Sequence, residues 1–530
     1  MSSSRPDHTP ADDSDSDNDD MLAADDAQEV LDAADNDGDM AMDSDDDDGQ
    51  DHELGDGDDD EDREEISLQN DSIAFFDHHK DSVFAIAQHP LYPNLVATGG
   101  SEGDADDAPG KGYVIDTSAA VSRRPVLPAS YSSDPNASSA PQLTELAPMF
   151  AIDGHTDSIN ALAFTLPNGD FLVSAGMDGR LRAYTVAPSP ATNQISFTFL
   201  AESQEVEEIT WLAPCPSPLY PNTIAFGASD GSVWVLSLDA SDPATPIQII
   251  QTYFLHTASS TAGAWTPDGA LLASVSEDAS LHVFDVWGTA AAKSLVLDNG
   301  QTVVSLTDVD NRFAVEGGLY SVAIAPTGAF LAVGGAQGAI RVVSLPRLAQ
   351  PAAAPPKANN SRAGGRRNAP QAEATSQAGT ILASLNVQTD GIESLSFAPA
   401  PQTLLAAGSV DGSIAVFDSA KSFAVRRHVR HAHDGESVVK VAFVRSAAQP
   451  GASGWLLTSC GLDGAVKRWD LRGATASEHS TSLEVNGLVK EWKGHRGGGE
   501  GGGVLDFVQG ETGERIVTAG DDSLVLVFEA

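Results

Sequence analysis

Basic residues are scarce in this chain. Only 29 Lys and Arg stand against 77 Asp and Glu among 530 residues, a formal net charge of −48. Phosphate groups are held by Lys and Arg, so nucleic acid and anionic membrane surfaces are poor direct partners for it. A basic partner, or solubility alone, is left as the reason for the charge. Cysteine is nearly missing. Cys215 and Cys460 make neither a disulfide framework nor a metal set, and such low usage suits a reducing compartment, the cytoplasm first and the nucleus second. No run comes near the roughly 18 apolar residues of a membrane span. The opening MSSSRPDHTPADD has neither an apolar h-region nor an amphipathic basic helix, so no secretory or mitochondrial signal is read there.

What is present begins with acid. Residues 1–65 hold 29 of the acidic residues and two bases, Arg5 and Arg63, a net −27. Asp runs such as DSDSDNDD repel one another and bring nothing apolar to offset chain entropy, which predicts a disordered acidic tail. The rest of the chain still carries a net −21.

From Asp77 onward one pattern recurs. A polar or His-containing turn leads to an apolar strand, then a Pro or Gly turn. A strand ending in small residues follows, then a tight Asp-Gly turn and a strand ending in an aromatic. Gly154–Tyr184 shows it most clearly, as GHTDSINALAF, FLVSAG, MDG and RLRAY. Eight such copies align, built of short β-branched strands between turn signals. Periodic units with G-H and W-D-like signals predict an all-β fold, an eight-bladed WD-repeat β-propeller over residues 66–530. A single blade cannot bury its own faces, so blades stack in a ring. Two stretches of linker composition, about 117–148 and 346–379, read as loop insertions after the third strands of their copies. The second carries a basic patch, Arg362, Arg366 and Arg367.

The eighth copy ends at its third strand, Phe528–Ala530. An apolar segment, Ser72–Phe76, precedes the first copy and has no other pairing role. It is expected to supply the missing outer strand, close the ring and cover an exposed edge.

His155, Ser174 and Asp178 recur as His495, Thr518 and Asp522. A hydrolase triad is not read here, because no nucleophile elbow marks Ser174 or Thr518 and the trio repeats around the ring. A structural hydrogen-bond network within each blade, ending on a Trp, is expected instead. Only Trp469 stands at that Trp position; Tyr184, Phe284, Phe417 and Phe528 replace it elsewhere, which predicts incomplete networks. The pair His78-His79 lacks a second His or Cys cluster at metal spacing and reads as a turn. HRGGGEGGG lacks the Gly-Lys-Ser/Thr of a phosphate loop. No enzyme, cofactor or metal site is expected.

Acidic residues gather instead where each copy's first strand begins: Asp81, Asp157, Glu205, Glu207, Glu208, Glu316, Asp390, Glu393, Asp434 and Glu436. In a propeller these positions open onto one face around the central channel. Up to seven blades would then point carboxylates at one rim. Such a rim is either a solvated acidic face or a binding surface for a Lys/Arg-rich segment.

DSVFAIAQHPLYPNLVATGG, followed by GHTDSINALAF and preceded by the acidic tail, resembles the fungal WD-repeat ribosome-assembly chaperones, whose animal relative is the angio-associated migratory cell protein. The resemblance covers about residues 66–530. It implies an eight-bladed propeller that acts as a monomeric, dedicated chaperone in large ribosomal subunit assembly. Its acidic face would hold the basic N-terminal segment of a newly made ribosomal protein of the L-ten type. Glu207, Glu393, Asp157 and Asp434 are the foremost candidates for salt bridges to that segment. Two other classes fit the composition. A scaffold for signalling or trafficking complexes would use the same ring, and a histone-type chaperone fits the acidity but not the DSVFAIAQHP stretch.

Overall fold

The computed structural model describes residues 69–530, apart from 104, 106–107, 121–143, 189–194, 349–377, 447–452, 474–486 and 498–500. The expected acidic tail and most of the two expected insertions lie outside the described residues.

Eight sheets form, seven of four strands and one of five. Blade two runs Ile159–Phe164, Phe171–Gly176, Arg180–Pro188 and Ile195–Gln204, each strand antiparallel to the one before. The second strands Phe171–Gly176 and Thr223–Ala228 are buried at every residue, and Phe330–Gly335, Leu456–Gly461 and Arg515–Gly520 at all but the first. Both faces of those strands are covered, which is why their sequences are continuous apolar and small runs rather than alternating ones. The apolar clusters bridge neighbouring blades. One joins Val173 and Leu181 of blade two to Ile209 and Phe226 of blade three.

The first strands are innermost. Val83–Gln88 of blade one packs against both Ile159–Phe164 of blade two and Val504–Val508 of blade eight, and the other first strands follow in turn, so the ring closes at eight. Lateral hydrogen bonds set their direction. Asn160 Nδ2 donates to Ile209 O at 2.6 Å, Thr210 Oγ1 to Ser260 O at 2.5 Å, and Thr261 Oγ1 to Leu319 O at 2.6 Å. Each rung joins the second residue of one inner strand to the first residue of the next. The inner strands therefore run side by side and begin at one common face.

The closure of the ring is made as expected, with two differences. The strand is Ala74–Phe76 rather than Ser72–Phe76, antiparallel to Val525–Glu529 with Ala74 opposite Val527 and Phe76 opposite Val525. Ile73, Ala74 and Phe76 are buried among Val517, Val525 and Val527 of blade eight and Val83 and Ile86 of blade one. Nor does this strand form the edge. Thr144–Glu145 pairs parallel on its far side, giving blade eight its fifth strand. The expected 117–148 insertion is thus not loop throughout, and its last residue, Pro148, opens the fourth strand of blade one, Pro148–Ile152. Loop composition reports solvation, not the presence of an open sheet edge within reach of a two-residue pairing.

Candidate partner-binding face

Every inner strand carries a register shift at its second residue: Phe84, Asn160, Thr210, Thr261, Tyr320, Glu393, Val439 and Leu505. Such a bulge leaves one residue out of the ladder and re-aims its side chain. Counting back three residues from the bulge gives Asp81, Asp157, Glu207, Asp390 and Glu436. Five blades therefore place a carboxylate at one equivalent position, at the end where the inner strands begin. Short acids suit these lead-in turns because they bond their own backbone: Asp157 Oδ1 accepts from Ser158 N at 2.6 Å and Asp390 Oδ1 from Gly391 N at 2.7 Å.

The other predicted acids are placed differently. Glu393 is itself the bulge residue of blade six. It is exposed, yet desolvation first, and the charge of Asp390 second, push its pKa up. Glu205 and Glu208 flank Glu207, all three exposed, and Glu205 Oε1 accepts from Ser203 Oγ at 3.0 Å. Glu316 is exposed, but Gly317 takes the equivalent position in blade five. Asp434 adopts a left-handed φ of 53° and lies 3.7 Å from Lys467 Nζ, so its charge already has a partner within the chain. These acids come from six blades, not seven, because Ala258 and Gly502 stand at the equivalent positions of blades four and eight. Blade eight does bring Asp521 to this face, but its carboxylate accepts from Ser82 Oγ and Gly501 N.

The tight turns between second and third strands share this face. Gly179 has a φ of +70°, and a Cβ there would stand 2.0 Å from Val206 O. Glycine at this turn lets blade two tuck against the residues leading to Glu207.

Beneath the rim lie the histidine networks. His155 Nε2 meets Ser174 Oγ at 2.8 Å and Nδ1 meets Asp178 at 3.1 Å; His495 repeats this with Thr518 at 2.7 Å and Asp522 at 2.8 Å. Burial would raise the Asp178 pKa, but hydrogen bonds from His155 and from the Thr156 and Arg180 amides outweigh it and hold the carboxyl below its ordinary range. Ser174 and Thr518 are fully buried, closed to any substrate. Tyr184 does not complete its network: its hydroxyl contacts Arg182 Nε and Asp153 O. Trp469 does, with Nε1 donating to Ser459 Oγ at 2.8 Å.

Three stretches, 146–185, 247–285 and 379–418, match the family model "WD domain, G-beta repeat". The chain is 26% identical over 486 residues to the ribosome assembly protein SQT1 of Saccharomyces cerevisiae, covering 88% of each. A crystal structure of Chaetomium thermophilum Sqt1, bound to the N-terminus of ribosomal protein L10, is 63% identical, with a TM-score of 0.73 over 87% of this chain and 100% of that one. The chain belongs to the Sqt1 family. The Saccharomyces cerevisiae Sqt1 structure, at 23% identity and a TM-score of 0.61 over 87% of this chain and 100% of its own, shares the fold.

Within this Sqt1-family propeller the fullest network is the one ending on Trp469, as expected, but its members His433, Ser459 and Lys467 were not legible in the sequence. In blade seven, Asp463 meets His433 Nδ1 at 2.8 Å, His433 Nε2 meets Ser459 Oγ at 2.7 Å, and Ser459 meets Trp469. Lys467, fully buried, adds its Nζ 2.9 Å from both Asp463 Oδ2 and Ala432 O. Burial alone would raise the Asp463 pKa, but His433 and Lys467 pull it down to about 2. Blade four has His256 with Ser274 at 2.6 Å and Asp278 nearby. In blade one His79, expected to be a turn residue, is buried with Nε2 2.9 Å from Thr98 Oγ1; desolvation, then the neighbouring His78, lowers its pKa to about 3. A usable signal was present: a hydroxyl residue, Asp four residues on and an aromatic ten residues on, as in Ser274, Asp278 and Phe284.

Proposed function

We propose that this protein is a dedicated chaperone of large ribosomal subunit assembly, holding the basic N-terminal segment of newly made ribosomal protein L10 on its acidic face. The observation that carries the reading is the repeated carboxylate three residues before the bulge in five blades. It is supported by the L10-bound crystal structure of the Chaetomium relative. Glu207, Glu393, Asp157 and Glu436 are the residues assigned to Arg and Lys of the client, with Asp434 a weaker contributor because Lys467 lies beside it. Isolated exposed ion pairs contribute only about 0.2–1 kcal/mol each. A ring of them speeds capture through its summed field, and bidentate Arg contacts add direction.

The reading assigns no catalysis, cofactor or metal. The histidine networks brace the blades, and a monomer in the cytoplasm suffices. Residues 1–65 are assigned as an acidic tail and residues 66–530 as the propeller. Affinity purification of the tagged chain from growing cells tests this. L10 should be the main co-purifying species. Recovery of a signalling or trafficking complex without L10 would contradict it.

A further inference from the structure

The bulge residues form a ring at the end where the inner strands begin, and two arcs of it differ in chemistry, with Tyr320 of blade five between them, its hydroxyl donating to Gly317 O. In blades two, three and four, Asn160, Thr210 and Thr261 use their side chains to bond the next blade's inner strand. Around the arc of blades six, seven, eight and one stand Glu393, Val439, Leu505 and Phe84, on inner strands that pack in that order. Phe84 is 39% exposed although its neighbours Val83, Ala85 and Ile86 are buried. Val439 and Leu505 are half-buried. An aromatic ring placed outward at a position that elsewhere locks blades together gives no such lock. Asp81 stands three residues before Phe84 on blade one, and Glu436 three residues before Val439 on blade seven.

We infer that this arc is a socket for one aromatic or large aliphatic side chain of the bound basic segment, with Glu393 taking the Arg or Lys beside it. The inference rests on the proposed chaperone reading and sharpens it. The rim selects for positive charge, which many ribosomal and nuclear segments carry. The socket selects, among basic segments, one that carries an apolar residue next to a cation. Covering the exposed face of Phe84 removes apolar surface from water, and the surrounding carboxylates draw in the flanking cations that bring the apolar group into place.

The test uses the full chain and two synthetic nine-residue peptides in isothermal calorimetry at one low salt concentration. One peptide alternates Arg and Gly; in the other the central Gly is Phe. The Phe peptide should bind about fivefold tighter or more. That ratio should fall to about one in Phe84→Ala, and return in Phe84→Leu. Leu505→Asn, on the neighbouring blade, should also collapse the ratio and serves if Phe84→Ala fails to fold. Equal, salt-sensitive binding of both peptides to the unsubstituted chain overturns this inference alone. A ratio that survives in both Phe84→Ala and Leu505→Asn also overturns it. Failure of either peptide to bind overturns the acidic-face reading together with it.

Discussion

At the scale of the residue, the most constrained group is the Asp463–Lys467 pair. Lys467 is fully buried and its ammonium has Asp463 at 2.9 Å. Removing the carboxylate leaves a buried cation with only the more distant Glu491 at 3.5 Å and Asp434 at 3.7 Å, both more exposed, so Asp463→Asn should cost up to about 3 kcal/mol in denaturant unfolding at neutral pH. The folded pKa of Asp463 lies at about 2, below its unfolded value. Its stabilisation is therefore complete above the unfolded pKa of about 3.9 and fades as pH falls toward 2. The gap between the unsubstituted chain and Asp463→Asn should narrow over that window; a gap independent of pH would refute the assignment. Glu393 behaves in the opposite sense. Its raised pKa means that it takes up a proton at a higher pH than an ordinary glutamate does. Client affinity should begin to weaken above the ordinary carboxylate range, and Glu393→Gln should remove that early limb of a calorimetric pH series. The two residues also differ in legibility. Asp463 was recognisable only as a turn Asp, because its His lies 26 residues before Ser459 where the clearest repeat has 19. Nothing in the pattern VKRWD announces that its lysine points inward.

Elements were more legible than the contacts between them. The strands could be read because each blade's second strand is a buried apolar run bounded by turn chemistry. The closing strand could be read because an apolar segment with no partner stood at one end and a three-stranded copy at the other. The bulges could not be, because Phe84, Asn160, Thr210, Tyr320 and Glu393 share no chemistry; only backbone register unites them. The Thr144–Glu145 pairing left no trace in composition either. The closing strand yields a direct prediction. Phe76 is fully buried between blades eight and one, so Phe76→Ala should cost about 3–5 kcal/mol. Deleting residues 1–60 should leave the melting temperature in place, whereas deletion through Phe76 should lower it markedly. Equal melting temperatures for the two truncations would refute closure by this strand.

For the whole molecule, the central claim is that one end of the ring gathers charge for a basic client. A net charge of −48 gives an attractive field of long range, but the field alone does not choose a partner. Affinity should fall steadily with salt, as the Debye length shrinks from about 10 Å at 0.1 M to 3 Å at 1 M. Choice must come from placed carboxylates, and Glu207 and Glu393 are exposed, on separate blades and free of core packing roles. The most direct measurement is calorimetric titration of the L10 N-terminal segment into the unsubstituted chain and into the double variant Glu207→Lys, Glu393→Lys. The double variant should lose about tenfold or more in affinity, with an unchanged melting temperature. Equal affinity in the two proteins, both folded, would contradict it.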